Sequence, residues 1–148
     1  MVRRASKDDL TILNEMINKL YKYETSFNSN SNFDFKFDNY FNEYKIDSDT
    51  DIILVYECDG LITGYIHASK KFDKQAFDVE YIVRTIFVDE QYRNNGIGSK
   101  LMNNVISILK NRGIKYLDVE CYSDNINSLK FYEKYGFKSL IEIKRKEL

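Results

Sequence analysis

The sequence has little that would bind a metal, cross a bilayer or direct export. It carries one histidine and two cysteines in 148 residues. Cys58 and Cys121 lie far apart and lack CxxC spacing, so neither a zinc site nor a disulfide framework is expected. Both thiols read as reduced and half-buried. No apolar run approaches the roughly 20 residues that span a bilayer. Met1-Val2-Arg3-Arg4 leads straight into a polar, charged segment without the apolar core of a signal peptide. A cytoplasmic location with no membrane partner is therefore expected. Charge of one sign is also lacking: 22 basic against 23 acidic residues leave a net −1, which gives no overall pull toward nucleic acid. Proline and tryptophan are absent, a bias of composition that carries no functional signal. What remains is globular in composition, with 43% hydrophobic and 30% charged residues. The length suits a single domain, expected over residues 1–148.

Hydrophobic spacing divides the chain into short elements. A brief strand at 2–5 precedes a helix over about 10–23, where Leu10, Leu13, Met16, Ile17 and Leu20 follow the helical period. The Ser- and Asn-rich stretch 26–32 reads as a loop. Phe33, Phe37, Tyr40, Phe41 and Tyr44 are again helix-spaced and predict a second helix over 33–44. Residues 52–56 form a buried-strand run, Asp59-Gly60 signals a hairpin turn, and 61–68 is the return strand. A longer strand is expected over 76–88, then a helix over 97–111 stopped by Gly113. A strand at 114–121, a helix from Asn125 to Tyr135 stopped by Gly136, and a last strand at 137–144 complete the pattern. This order predicts an α/β (α+β) fold: a mixed, largely antiparallel sheet with helices on both faces. The helix between strands 76–88 and 114–121 demands a parallel crossover, which makes those two a central parallel pair.

The segment Val88-Asp89-Glu90-Gln91-Tyr92-Arg93-Asn94-Asn95-Gly96-Ile97-Gly98-Ser99 carries the clearest chemistry. A strand ends, a loop turns and a helix begins on glycines. Helix N-termini expose unpaired N–H groups at the positive end of the helix dipole, which suits phosphate. Glycines let an anion approach the backbone. From Arg93 to Lys115 there are five Lys or Arg and no Asp or Glu. The third glycine of the dinucleotide-binding G-x-G-x-x-G pattern is missing, and so is the P-loop pattern. A plain helix start with solvated basic residues is the alternative reading of the two glycines alone.

A second segment, Asn125-Ile126-Asn127-Ser128-Leu129-Lys130-Phe131-Tyr132-Glu133-Lys134-Tyr135-Gly136-Phe137, lies about 30 residues on. With it, the chain resembles the GNAT N-acetyltransferases. Arg93 to Gly98 matches their R/Q-x-x-G-x-G/A loop, and Asn125 to Phe137 matches their N-x-x-A-x-x-F-Y-x-x-x-G-F helix and turn, with Ser128 for the usual Ala. The motifs cover the C-terminal half. The first 50 residues match by element order only.

The resemblance implies a GNAT-like fold whose parallel pair splays to admit the pantetheine arm of acetyl-CoA, the cosubstrate. It implies an acyltransferase that moves an acetyl group to a primary amine by direct attack in a ternary complex. Ile86, Phe87 and Val88 would offer backbone groups to the arm, and a neighbouring backbone N–H would polarise the thioester carbonyl. Arg93, Asn94, Asn95, Gly96, Ile97, Gly98 and Ser99 would cradle the pyrophosphate, with Arg93 touching phosphate or only bracing the loop. Asn125 would contact the arm or serve merely as a helix cap. Tyr132 stands at the family's general-acid position. Glu80 is the candidate base, although many relatives carry a Glu near Arg84 and Thr85 instead. His67 is a further candidate, directly or through water.

The acceptor is not legible. Residues 21–51 hold seven acidic residues and three lysines, which would draw a cationic amine or simply form a solvated face. A small-molecule or peptidyl amine is expected, with a homodimer left open. Two other readings stand: a noncatalytic acyl-CoA-binding module of the same fold, and another nucleotide-binding α/β domain.

Overall fold

The computed structural model describes residues 1–148. Strands β1 (Val2–Arg4), β2 (Asp51–Cys58), β3 (Leu61–Lys70), β4 (Glu80–Val88) and β5 (Tyr116–Val119) form one sheet in sequential order. The first three junctions are antiparallel; β4 and β5 pair in parallel. Helix α1 (Leu10–Glu24) lies on one face. Helices α3 (Ile97–Asn111) and α4 (Ile126–Lys134) lie on the other, and α2 (Glu43–Asp47) is a single turn. The mixed sheet with helices on both faces and the parallel crossover through α3 match the sequence expectation.

Alternation along the strands builds two cores. Ile53, Val55, Tyr65 and Phe87 face Leu13, Met16, Ile17 and Leu20 of α1, together with Phe41. Ile52, Leu54, Ile66, Tyr81 and Val83 face Ile97, Leu101, Met102, Val105 and Leu109 of α3. Successive strand residues serve opposite faces, and every third or fourth helix residue serves one. The hairpin between β2 and β3 turns on Asp59 (φ 50°) and Gly60 (φ 77°), the backbone that an Asp-Gly pair favours.

Four expectations are corrected. Residues 33–42 are not helical, and α2 begins only at Glu43. The cause lies on α1. Asn18 accepts from Phe37 N–H at 2.8 Å and donates to its carbonyl at 3.0 Å; Asn14 does the same for Phe41, at 2.9 Å each way. Phe37 and Phe41 are four apart because they meet two amides one helical turn apart, so their spacing mimics a helix. Second, residues 137–144 form no strand. Third, β5 is therefore the sheet edge, and the parallel pair is not central. The strands 76–88 and 114–121 also shorten to β4 and β5.

Candidate active site

Helix α3 opens on a loop built to expose amides. Gly96 is its N-cap, with φ 74°, and Asn94 also takes a left-handed backbone, φ 64°. Arg93 turns back so that its Nε donates to Val88 O at 2.8 Å, and Asn95 donates to Tyr92 O at 3.2 Å. The loop is thus braced by its own side chains. The first amide of the helix to find a partner is Lys100, bonded to Gly96 O at 3.0 Å; the N–H groups from Asn94 to Ser99 donate to nothing. Lys134 of α4 reaches Ser99 Oγ at 3.2 Å and adds positive charge to the dipole end. An ideal Cβ on Gly98 would sit 3.5 Å from Phe131, in ordinary contact, and one on Gly96 would meet nothing.

Beside this loop the parallel strands part. Pairing of β4 with β5 stops at Val83 opposite Val119. Along residues 84–88 the β5-facing edge of β4 has no strand partner, while β3 continues to hold the other edge through Gly64 opposite Val88. A bulge between His67 and Ala68 pairs His67 with Thr85 and Ala68 with Val83, which throws Arg84 out to solvent and bends the strand. Gly64 is required where β3 passes this end, since a Cβ there would lie 2.8 Å from Phe87 O. Ile86, Phe87 and Val88 therefore line an open strand edge that runs toward the start of α3.

Tyr132 packs with Ile86 and Val88 against the α3 core, Asn125 caps the helix that carries it, and the Glu24 charge bears on Tyr132 and Cys121. Asn125 is buried and caps α4, its Oδ1 accepting from Ser128 N–H at 3.3 Å. Tyr132 packs against Phe131 and Phe137. Burial, reinforced by the charges of Cys121 and Glu24, pushes its phenol far up, so it keeps its proton. Glu24, on the last turn of α1, is half-buried and makes no hydrogen bond or ion pair; burial pushes its carboxyl up. Its charge also bears on Tyr40, Tyr65 and Cys121. Close by, Tyr65 Oη and Thr85 Oγ1 are buried without a hydrogen-bond partner. Burial raises the Cys121 thiol as well.

The model of the Acetyltransferase (GNAT) family matches residues 15–137. The chain belongs to the GNAT family. An uncharacterized N-acetyltransferase of Methanocaldococcus jannaschii is 26% identical over 138 residues, covering 93% of this chain and 60% of that protein. The N-alpha-acetyltransferase RimI of Mycobacterium tuberculosis is 34% identical over 79 residues, covering 53% of this chain and 47% of that protein. The chain thus spans less than two thirds of the length of these relatives. Among solved structures, a mutant protein from Bacillus halodurans superposes with a TM-score of 0.84 at 16% identity, over 100% of this chain and 99% of that one. The aminoglycoside acetyltransferase AAC(6')-Iy, solved with a bisubstrate analogue of CoA, superposes at 0.73 and 17% identity, over 100% and 98%.

Within this GNAT chain, the structure gathers most of the residues singled out by sequence: the edge 86–88, the loop 93–99, Asn125 and Tyr132. It does not bring Glu80 to them. Glu80 starts β4, roughly 26 Å of strand away from Val88, and pairs with Lys71 at 3.2 Å, which also holds Asp118 at 2.7 Å. His67 is buried, its Nε2 2.6 Å from Asp51 and its Nδ1 3.3 Å from Tyr40 Oη. Burial pushes the His67 pKa down despite the Asp51 bond. The neutral ring therefore donates to Asp51 from Nε2 and accepts from Tyr40 at Nδ1. Nothing in the sequence singles out Glu24. It counted only as one of seven acids in 21–51; its isolation and burial are tertiary facts with no local signal.

Proposed function

We propose that this GNAT protein is an acetyl-CoA-dependent N-acetyltransferase acting on a primary amine. The observation that carries the reading is the run of unpartnered amides from Asn94 to Ser99, set at the end of an open strand edge. A diphosphate fits that run, and an amide-bearing chain fits the edge, as a pantetheine arm would. Arg93 braces the loop, and Lys134 adds charge. When bound, acetyl-CoA supplies the acetyl thioester.

The protein's own groups then manage protons. Glu24 takes the base role in place of Glu80, because it is unpaired and its raised carboxyl holds a proton more readily than an exposed one. A cationic amine must lose a proton before it can attack. Tyr132 stays protonated and can donate to the departing sulfur. Cys121 is held as a thiol, a poor nucleophile, which favours direct transfer over a relay through this cysteine. The relatives point to amines of different size, one an N-alpha-acetyltransferase and one an aminoglycoside acetyltransferase.

The test is steady-state thiol release from acetyl-CoA over a panel of polyamines, amino acids, aminoglycosides and peptides with free N-termini. At least one amine should support turnover well above the hydrolysis background. CoA binding by calorimetry with no amine turned over would make the chain an acyl-CoA-binding module instead. A thermal shift with ATP or NAD but none with CoA would remove the family-based reading of the loop.

A further inference from the structure

A hydrogen-bonded line of three titratable side chains crosses the sheet apart from the cleft residues named above. Asp51 opens β2, His67 belongs to β3, and Tyr40 comes from the irregular segment before α2. His67 Nε2 is 2.6 Å from Asp51 Oδ1, and its Nδ1 is 3.3 Å from Tyr40 Oη. His67 is 2% exposed, whereas Asp51 and Tyr40 are only partly buried. A carboxylate only accepts, so Nε2 carries the ring proton and Nδ1 keeps its lone pair. Tyr40 then donates its O–H to Nδ1, and the lone pairs of its oxygen are left for another donor. The line therefore has a direction. It can take a proton at Tyr40 and store it beside Asp51. Apolar residues of the same shape would hold the fold about as well, so packing alone does not call for these three groups.

Tyr40 is held firmly for such a task. Asn14 fixes both backbone groups of Phe41, and Phe37 and Phe41 meet the Tyr40 ring edge to face at 5.2 and 4.8 Å. Lys45 Nζ donates to Tyr40 O at 2.7 Å and stands 3.7 Å from the ring centre. A cation over the ring favours negative charge growing on the phenol. The line also points toward the cleft. Thr85 stands opposite His67 and directly precedes the open edge 86–88. Besides burial, the Tyr40 hydroxyl feels Thr85 and the charges of Arg84, Asp51 and Glu24.

A primary ammonium gives up two protons on the way to an amide, one before its nitrogen attacks and one after the new C–N bond forms. Glu24 can hold only one. On the reading of this protein as an N-acetyltransferase, we infer that Tyr40, backed by His67 and Asp51, takes the second. The proton on the acceptor nitrogen passes to Tyr40 Oη as the Tyr40 proton passes to His67 Nδ1. The imidazolium so formed keeps its Nε2–H on Asp51. Burial and the cations Lys45 and Arg84 oppose charge on that ring, and Asp51 favours it, so the store is temporary. Once the amide has left, the proton returns through Tyr40 to water in the open cleft, and every group regains its starting protons. Tyr40 meets the acceptor; His67 and Asp51 act through it.

The chain has one histidine, which makes the line directly readable. A long-range ¹H–¹⁵N spectrum at neutral pH should show a single imidazole with its proton on Nε2 and an accepting Nδ1. Tyr40→Phe, which keeps the ring and its edge contacts, should move the Nδ1 signal toward that of a free lone pair. With an amine that is turned over and chemistry limiting, Tyr40→Phe should lower kcat on the order of 10²-fold. The KM for the amine and the Kd for CoA should stay unchanged. Asp51→Asn should also lower kcat, and the double variant should be no slower than the slower single one, because the groups act as a unit. A proton on Nδ1, or wild-type kcat in Tyr40→Phe while Glu24→Gln is impaired, would overturn the line and leave the acetyltransferase reading standing. CoA binding with no amine turned over would overturn that reading and the line's role with it, even with the expected tautomer in the spectrum.

Discussion

Tyr132 keeps its proton because burial and the nearby Glu24 charge both disfavour a phenolate, and a protonated phenol can still hydrogen-bond to sulfur as negative charge grows there. Thiolates leave fairly well, so Tyr132→Phe should lower kcat by only on the order of 10²-fold, the low end for positioned acids. CoA affinity measured by calorimetry should change little, and Tyr135→Phe should be nearly silent. Unchanged kcat in Tyr132→Phe, with chemistry shown to limit turnover, would leave the ring as packing for Phe131 and Phe137. Glu24 predicts a pH effect of defined sign. Its folded pKa is raised, so the active carboxylate is lost as pH falls through a value above the ordinary glutamate range. The acid limb of kcat/KM should lie there, and Glu24→Gln should remove that limb while lowering kcat/KM about 10²-fold at neutral pH. The same limb in Glu24→Gln, and its loss in Glu80→Gln, would return the base role to Glu80. Tyr132 could be singled out from a spacing because its position is set by a local helix. Glu24 could not, because an unpartnered, half-buried carboxylate is defined by what surrounds it.

At the scale of elements, the start of α3 separates two kinds of glycine. Gly96 has φ 74°, so Gly96→Ala places a Cβ in a left-handed backbone and should cost about 1 kcal/mol of stability. Gly98 has ordinary helical backbone, and a Cβ there makes normal contact with Phe131. Gly98→Ala should therefore leave the melting temperature nearly unchanged. Gly98→Val should weaken CoA binding, measured by calorimetry, by removing the close approach to the amides. CoA affinity unchanged from the wild type in both Gly96→Ala and Gly98→Val would contradict the phosphate role of the loop. The elements that sequence resolved, α1, the β2–β3 hairpin, β4 and α3, are those whose own period, caps and turn residues agree. It failed at 33–44, where the aromatic spacing answers to Asn14 and Asn18 on α1, and at 137–144, where strand propensity is not met by pairing with the free edge of β5. In both, the deciding partner lies outside the segment.

Across the whole molecule the near-zero net charge hides a division that ligands should feel. The stretch from Arg93 to Lys115 is wholly basic, and 21–51 is acidic in excess. The structure spends part of the acidic excess internally. Glu43 and Asp47 both meet Lys7, at 3.4 and 3.3 Å, and Asp51 is taken by His67. That leaves Glu24, Asp34, Asp38 and Asp49 without an ion pair. The attraction for a cationic acceptor should therefore be real but modest, carried by Glu24 at the cleft and by exposed charges that salt screens within about 10 Å at 0.1 M ionic strength. Raising salt from low to near-physiological strength should increase the apparent KM for a polycationic acceptor by a few-fold and leave that of a monoamine almost fixed. The proposed seat of CoA, a polyanion, on α3, Lys134 and the loop amides predicts that its Kd rises over the same range. Replacing Asp34 and Asp38 with Asn should flatten the polycation's salt dependence without touching kcat, since neither residue reaches the cleft residues that move protons. A salt-independent KM for the polycation, or an anionic compound as the best acceptor in the panel, would show that the acidic half is solvated surface and that Glu24 alone sets the preference for amines.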